Sequence, residues 1–402
     1  MKKQVVITGM GVVCPLGNNI SEFSRRLFEK KSPAASIKRF NPGELPTTIA
    51  AEVKNFSFTY RDVKINFALS AAHEALEMAG LDDHDLNPYD LGLSIGLGLE
   101  LFAMDDLIKL KNNMASDEEK KSFSFLNTPS DICCDLIAQR YRFHHLPQIH
   151  ISACAAGTDA IGSAFEAIRE GSKKIILAGG ADSMINPMGI AGFGRIGAMS
   201  KKNKTPEHAS SPFDQHRDGF LLGEGAGFVV LEERDHAEKR GAKILGRISG
   251  YGNSLDAYSV SDPHPEGLGA VLSMQRALSS AKLVADEISA ISAHATGTPK
   301  NDPAEAKAIR MLMPKNWKET PVIATKSLIG HLISAAGAVE TIATLIMMKK
   351  KLLHQTQNLE QVDPDCDLCH IKNDHLAVEI NHVLKNSFGF GGQNSSIIIS
   401  RE

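Results

Sequence analysis

The 402-residue sequence predicts a duplicated α/β protein whose active site lies where two similar halves meet. Three observations carry this prediction. The octapeptide Ile151-Ser152-Ala153-Cys154-Ala155-Ala156-Gly157-Thr158 returns as Ile291-Ser292-Ala293-His294-Ala295-Thr296-Gly297-Thr298, with the reactive Cys exchanged for His. Each copy follows an apolar β-type run and precedes a helical pattern. Strand and helix patterns also alternate in a similar order on either side of Gly241, so the halves read as 1–241, with Cys154, and 242–402, with His294, Lys326 and His331.

Taken in order, Gln4 to Thr8 reads as a strand from its β-branched run, ended by Gly9. Asn66 to Ala79 reads as a helix, Leu91 to Ile95 and Gln148 to Ser152 as strands, Gly157 to Arg169 as a helix and Lys174 to Ala178 as a strand. Between them, Glu100 to Thr128 is polar and charged, an insertion expected to cap the site or a subunit interface. Gly223 to Gly227 opens a strand over Phe228 to Leu231, and Arg234 to Arg240 is helical. The second half begins with a strand (Ile244 to Gly250) and a helix (Gly267 to Ala281). A strand before Ser292, a helix (Asp302 to Leu312), a strand (Val322 to Ala324) and a helix (Ile333 to Met348) follow. Val383 to Ser387 and Ser396 to Ser400 close the chain as a hairpin around Gly389-Phe390-Gly391-Gly392. Two parallel-rich sheets with helices between and outside them are expected.

Composition narrows the class. An apolar fraction of 43% fills a large core, and a net charge of −3 gives no reason to expect nucleic acid or an anionic membrane as partner. Six cysteines in a chain this long read as reduced thiols of a cytoplasmic protein. The start Met1-Lys2-Lys3 before Val5-Val6-Ile7 imitates a signal peptide, but Gly9, Gly11 and Pro15 interrupt it. Leu328 to Met348 has nearly the length of a membrane span, but His331 and Glu340 within it point to a central helix of a large core.

Cys154 stands between a strand and a helix, where first-turn N–H groups and the helix dipole are expected to lower its pKa. His294 occupies the second copy of the motif, with Thr296 and Thr298 available to hydrogen-bond an amide-bearing ligand. Lys326 and His331 flank a turn at Gly330 and point inward; Glu340 on the next helix is the expected partner of Lys326. Asn386 to Gly392 is a turn whose glycines allow backbone N–H groups close to a ligand; its spacing fits neither a P-loop nor a dinucleotide fingerprint. Cys366-Asp367-Leu368-Cys369-His370 matches a c-type haem pattern without the export that such attachment accompanies.

With these residues in place the whole chain resembles the β-ketoacyl-[acyl-carrier-protein] synthases, above all the synthase II type of dissociated fatty acid and polyketide systems. Gly179-Gly180-Ala181-Asp182, Pro212-Phe213-Asp214, Arg217-Asp218-Gly219-Phe220 and Gly330-His331-Leu332 add to the likeness. The resemblance implies a thiolase-like, five-layered α/β/α/β/α fold and a dimer, either with itself or with a chain-length factor. It implies that Cys154 is acylated from an acyl carrier protein and that His294 and His331 stabilise the enolate left by malonyl decarboxylation. It further implies that the N–H groups of Cys154 and Phe390 form an oxyanion hole, and that Lys326 with Glu340 sets the electrostatics. Phe388 and Phe390 then form a gate, and Thr296 and Thr298 hold the pantetheine amides. No metal or dissociable cofactor is implied, since phosphopantetheine rides on the carrier. An acidic carrier requires a basic entrance, for which Arg61 and Lys64 are the first candidates and Lys201, Lys202 and Lys204 the next. Three motifs depart from the family's pattern: Ala153-Cys154-Ala155-Ala156-Gly157, His294-Ala295-Thr296-Gly297-Thr298 and Gly391-Gly392-Gln393-Asn394. None removes a catalytic group, and they leave fatty acid and specialised polyketide or polyene synthesis both open. A non-decarboxylating thiolase and a silent chain-length factor are the alternatives; the first is disfavoured by the Cys-His-His set, the second by Cys154. Acyl length is expected to depend on packing near Phe102 to Leu107.

Overall fold

The computed structural model describes residues 2–60, 62–81, 91–98, 104–122 and 129–402. Ten strands form its main sheet. Those of the first half are β1 (Val5–Val13), β2 (Leu91–Leu97), β3 (Gln148–His150), β4 (Ile175–Ser183) and β5 (Glu224–Glu233). Those of the second are β6 (Gly246–Leu255), β7 (Ala290–Ser292), β8 (Val322–Ile323), β9 (His382–Gly389) and β10 (Gln393–Ser400).

Their spatial order is β3-β2-β4-β5-β1-β6-β10-β9-β7-β8. Read outward from the middle, each half repeats one order, first-fifth-fourth-second-third. The pairing senses repeat too: β2 is parallel to β3 and β4, and β7 to β8 and β9, while the remaining neighbours are antiparallel. Parallel and antiparallel pairs are therefore equal in number within a half, which corrects the parallel-rich expectation. The two expected sheets are also one hydrogen-bonded sheet, joined where Val5, Val6 and Ile7 pair with Ile248, Arg247 and Gly246.

Helices make the other layers. α1 (Val63–Met78) covers β1, β4 and β5 from outside. α2 (Ala156–Arg169) enters the centre, and α3 (Pro187–Arg195) begins at Asn186, whose side chain accepts from the Gly189 N–H. α4 (Leu268–Ala281) covers β6 and β10, α5 (Asn301–Leu312) packs on α4, and α6 (Ala336–Lys350) is central. α2 and α6 touch each other and strands of both halves, so they form the middle of five layers. α6 is buried on every side from Ala336 to Met348, as an all-round apolar helix must be, and its exposed end is Lys349-Lys350. Among the described residues no helix is long and apolar enough to cross a membrane.

Topology reassigns the octapeptide repeat. Cys154 leaves β3, the third strand of its half, whereas His294 leaves β7, the second strand of the other. The counterpart of the Cys154 turn follows β8. There Ile333–Ala335 makes a short 3₁₀ turn into α6, as Ala153–Ala155 does into α2. Even the unusual backbone agrees, with Ala153 at φ 49° and Ile333 at φ 47°. Ser334, not His294, thus stands where Cys154 stands. The matching letters at 151–158 and 291–298 reflect small residues in two tight turns rather than equivalent positions.

Candidate active site

Each reactive side chain leaves a turn held by neighbours. Cys154 lies in the turn between β3 and α2, directly after Ala153 at positive φ. His294 follows β7; its N–H and that of Ala295 (φ 44°) each donate to one oxygen of Glu305 on α5, both at 2.7 Å. Lys326 opens a four-residue helical turn ended by Gly330 at φ 73°. His331 is then fixed through its N–H to the Leu221 carbonyl at 2.7 Å. Non-glycine residues at positive φ cost about 1–3 kcal/mol each and persist where the surroundings overdetermine them. Here Ala153, Ala295 and Ile333 each lie within two residues of a reactive group.

These turns converge. One ligand atom from each of Cys154, His294 and His331 lies within 4.8 Å of the others. The imidazole rings meet edge to face, with centroids 5.4 Å apart. Lys326 Nζ sits behind them, 2.5 Å from Glu340 Oε1, 2.6 Å from the His294 carbonyl and 3.3 Å from His294 Nδ1. The Ile333 N–H reaches His331 Nδ1 at 3.1 Å. Both Nδ1 atoms therefore accept, so each neutral ring carries its proton on Nε2 as a donor. Burial holds both histidines well below the usual imidazole range, and the Lys326 charge adds to it.

Burial acts on the Cys154 thiol in the other direction. It pushes the Cys154 thiol up to about 12, although Lys326 and the N–H groups of Phe390 and Cys154 draw it down. This corrects the expectation of a lowered pKa: desolvation of the thiolate outweighs the helix terminus. The same two N–H groups thus lie near enough to the sulfur to favour its anion. Gly389 allows their approach, since a Cβ there would stand 2.7 Å from the Ser152 carbonyl oxygen.

Aromatic rings close the site. Phe388 packs against His294, Phe220 against His331, Phe193 against Phe220, and Phe390 stacks on Phe193 with centroids 6.3 Å apart. The glycine-rich turn is tied down by Gly391 N–H to the Val260 carbonyl at 2.7 Å and Asp256 N–H to the Gly392 carbonyl at 2.8 Å. A cavity of about 200 Å³ runs from buried Cys154, His294 and His331, past Thr296 and Thr298, to exposed Lys300.

The structure thus brings Cys154, His294, His331, Lys326, Glu340, Thr296, Thr298, Phe388 and Phe390 together. It does not bring Lys64 to an entrance: that side chain is buried and pairs with Asp62 at 2.8 Å, because it lies on the inner side of the first turn of α1. Arg61 lies outside the described residues, as does Phe102; so do parts of the 100–128 insertion, of which Met104–Lys111 and Asp117–Ser122 are helices. Lys201 and Lys204 are exposed. Cys366 is buried, and His370 Nε2 donates to its carbonyl at 2.8 Å, so the haem-like motif is a closed local turn. Among the described residues the group with metal-ligand spacing is Cys154, His294 and His331. One residue was missed. Lys385 is fully buried with its ammonium 3.1 Å from Glu340 Oε2. Its signal was a lysine inside the Val383 to Ser387 strand, which, if that strand is buried, must find a partner.

Comparison with known proteins agrees with this geometry. Residues 2–237 match the family Beta-ketoacyl synthase, N-terminal domain, and residues 245–360 match Beta-ketoacyl synthase, C-terminal domain. The 3-oxoacyl-[acyl-carrier-protein] synthase 2 of Coxiella burnetii is 37% identical, covering 100% of this chain and 99% of its own. A β-ketoacyl synthase from Burkholderia phymatum superposes with a TM-score of 0.89 at 31% identity over the full length of both chains. A chain of the AntDE:AntF assembly, a type II PKS acyl-carrier protein in complex with its ketosynthase bound to the hexaketide, gives 0.89 at 30% identity, again over both full lengths. A cysteine and two neutral imidazoles gathered at the join of a duplicated five-layered fold, in a chain whose residues 2–237 and 245–360 match the two domains of that family, make this protein a member of the β-ketoacyl synthase family.

Proposed function

We propose that the chain is a 3-oxoacyl-[acyl-carrier-protein] synthase performing a decarboxylative Claisen condensation in fatty acid or type II polyketide synthesis. The observation that carries the reading is the convergence of Cys154, two Nε2–H imidazoles and two backbone N–H donors on one cavity. In the first half-reaction the Cys154 sulfur attacks the acyl thioester of the carrier's phosphopantetheine. The new C–S bond forms, the pantetheine sulfur leaves, and the Cys154 proton ends on it. Malonyl-carrier protein then binds, with Thr296 and Thr298 lining the arm's path. Its C–C bond to the carboxylate breaks, carbon dioxide leaves, and the electron pair becomes an enolate whose oxygen accepts from His294 and His331. The enolate carbon attacks the Cys154 thioester, the oxyanion rests on the Cys154 and Phe390 N–H groups, and collapse expels the thiolate, which takes up one proton. None of these steps requires a metal or a resident organic cofactor.

Lys201 and Lys204, a few residues beyond the cavity-lining Gly197 and Ala198, replace Lys64 as the basic contacts for an acidic carrier. Edge strand β3 is flanked by Leu146, 92% exposed, and Ile151, 66% exposed, which fits burial against a second chain, either another copy or a chain-length factor.

Intact-mass analysis with acyl- and malonyl-carrier proteins tests the reading. The expected result is an acyl mass on Cys154 followed by a product two carbons longer. Extension by the protein alone, once per saturated primer, indicates fatty acid elongation; repeated unreduced extension that needs a partner lacking the cysteine indicates polyketide assembly. An unmodified Cys154 with every primer overturns both.

A further inference from the structure

Two lysines, not one, are buried where the halves meet. Lys326 donates to Glu340 Oε1 at 2.5 Å, and Oε2 is left to an ion pair with the Lys385 ammonium at 3.1 Å. Lys385, on β9, also donates to Thr158 Oγ1 at 2.8 Å and to Ser387 Oγ, and those two hydroxyls are themselves 2.9 Å apart. Thr158 lies in the first turn of α2, just after Cys154; Glu340 is on α6; Ser387 precedes Phe388. One ammonium therefore ties together the nucleophile's helix, the helix that holds Lys326, and the strand leading into the glycine-rich turn. Gly337 keeps the space open, since a Cβ there would stand 3.1 Å from Lys385 Nζ.

Stability alone gives no reason for this arrangement. A buried ion pair is often no better than a well-packed apolar replacement. Two ammonium groups on one carboxylate do, however, leave net positive charge behind the two histidines. The field of Lys385 reaches both rings and adds to that of Lys326 in keeping them neutral.

We infer that Lys385 is a positioning residue for decarboxylation: by holding the second oxygen of Glu340 it keeps Lys326 on His294 and maintains positive charge beside the forming enolate. The inference rests on the condensation reading of the site. Lys385 faces Glu340 on α6, Lys326 before the turn to His331, Glu305 on α5, and Thr158 and Ser387, with His294 and His331 beyond. Burial and Lys326 bring its ammonium down to about 8, against Glu340 and Glu305, which raise it. The charged form is thus present below about pH 8 and lost above it, and decarboxylation falls as pH rises through that value.

The test measures carbon dioxide release from malonyl-carrier protein between about pH 6 and 9.5, for the wild type and Lys385→Met, alongside acylation of Cys154 in the same preparations. Lys385→Met is expected to acylate Cys154 within about threefold of wild type but to decarboxylate roughly 10- to 100-fold more slowly, the range typical of lost supporting contacts. Its remaining rate should lack the alkaline decline of the wild type. Equal rates and equal pH profiles would show Lys385 to be merely structural and overturn the inference. Should the variant fail to fold, the wild type decides alone, and a rate that stays level from neutral pH to above Lys385's value overturns it. A wild type that neither acylates nor decarboxylates defeats the condensation reading itself, which is a different failure.

Discussion

At Cys154 the burial that raises the thiol to about 12 also shields from water the thioester it would form. The sulfur is thus protonated at rest and becomes nucleophilic only as its proton leaves, with the Lys326 charge and two N–H groups favouring the anion. In the proposed mechanism the two imidazoles serve the other half-reaction. Each has Nδ1 occupied, by Lys326 or by the Ile333 N–H, so protonation would set N–H against N–H. Their depressed pKa values keep them neutral, and decarboxylation should hold its rate as pH falls from 7 to 6. Replacing His294 or His331 by Ala is expected to slow decarboxylation roughly 10²- to 10³-fold, the cost of one lost donor to a developing oxyanion, while intact mass still shows acylated Cys154. Loss of acylation together with decarboxylation would place the histidines in the first half-reaction instead.

At the scale of elements, reactivity depends on how closely turns and helices approach. Gly389 brings the Phe390 N–H to the Cys154 turn, and a methyl there would meet the Ser152 carbonyl oxygen at 2.7 Å. Gly389→Ala should therefore lower both half-reactions by about tenfold or more while leaving the unfolding midpoint within a few degrees, because β9 can shift at its end. Gly337→Ala is different. Its Cβ would stand 2.1 Å from Thr158 Oγ1 where α2 and α6 pack, so about 1–3 kcal/mol of stability should be lost, read as a lower urea midpoint. Sequence patterns located these elements well: α2 was expected from Gly157 to Arg169 and runs from Ala156, and α4 and α5 start within a residue of expectation. Strands extended further than their apolar letters. β4 runs on through Gly179-Gly180-Ala181-Asp182-Ser183, where Gly180 leaves room for Gly157 at the start of α2 and for the Ser334 carbonyl before α6, a reason visible only in three dimensions.

For the whole molecule, duplication was legible but its register was not. The octapeptide pointed to His294 as the partner of Cys154; the two do meet in one cavity, but in the topology Ser334 is the counterpart. Identical letters in short tight turns follow from crowding, so they mark active-site proximity without marking equivalence. The proposed set was readable because Cys154 and His294 follow strand ends in small-residue turns and Lys326 and His331 bracket the turn at Gly330. Lys385 was not, since its role depends on a carboxylate 45 residues away already assigned to another lysine. The charges buried in this join also shape stability. His294, His331 and His354 are neutral when folded but protonate near 6.5 when unfolded, so each lowers stability as pH drops below about 6.5. Asp182, raised to about 6, and Glu305, raised to about 7, act oppositely, gaining protons first in the folded state until the unfolded carboxyls also protonate near pH 4. Urea midpoints should therefore fall gently from about pH 6.5 and more steeply below about pH 4. A midpoint that rises on acidification from 6.5 to 5 would show that the carboxyls outweigh the histidines.

The claim that one cavity holds two separable half-reactions is tested most directly by Cys154→Ala with malonyl-carrier protein and an acyl-carrier primer. Decarboxylation to acetyl-carrier protein should continue through His294 and His331, with no extended product. An extended 3-oxoacyl product from that variant contradicts the account, because the acyl group would then have been transferred without the sulfur on which it is proposed to rest.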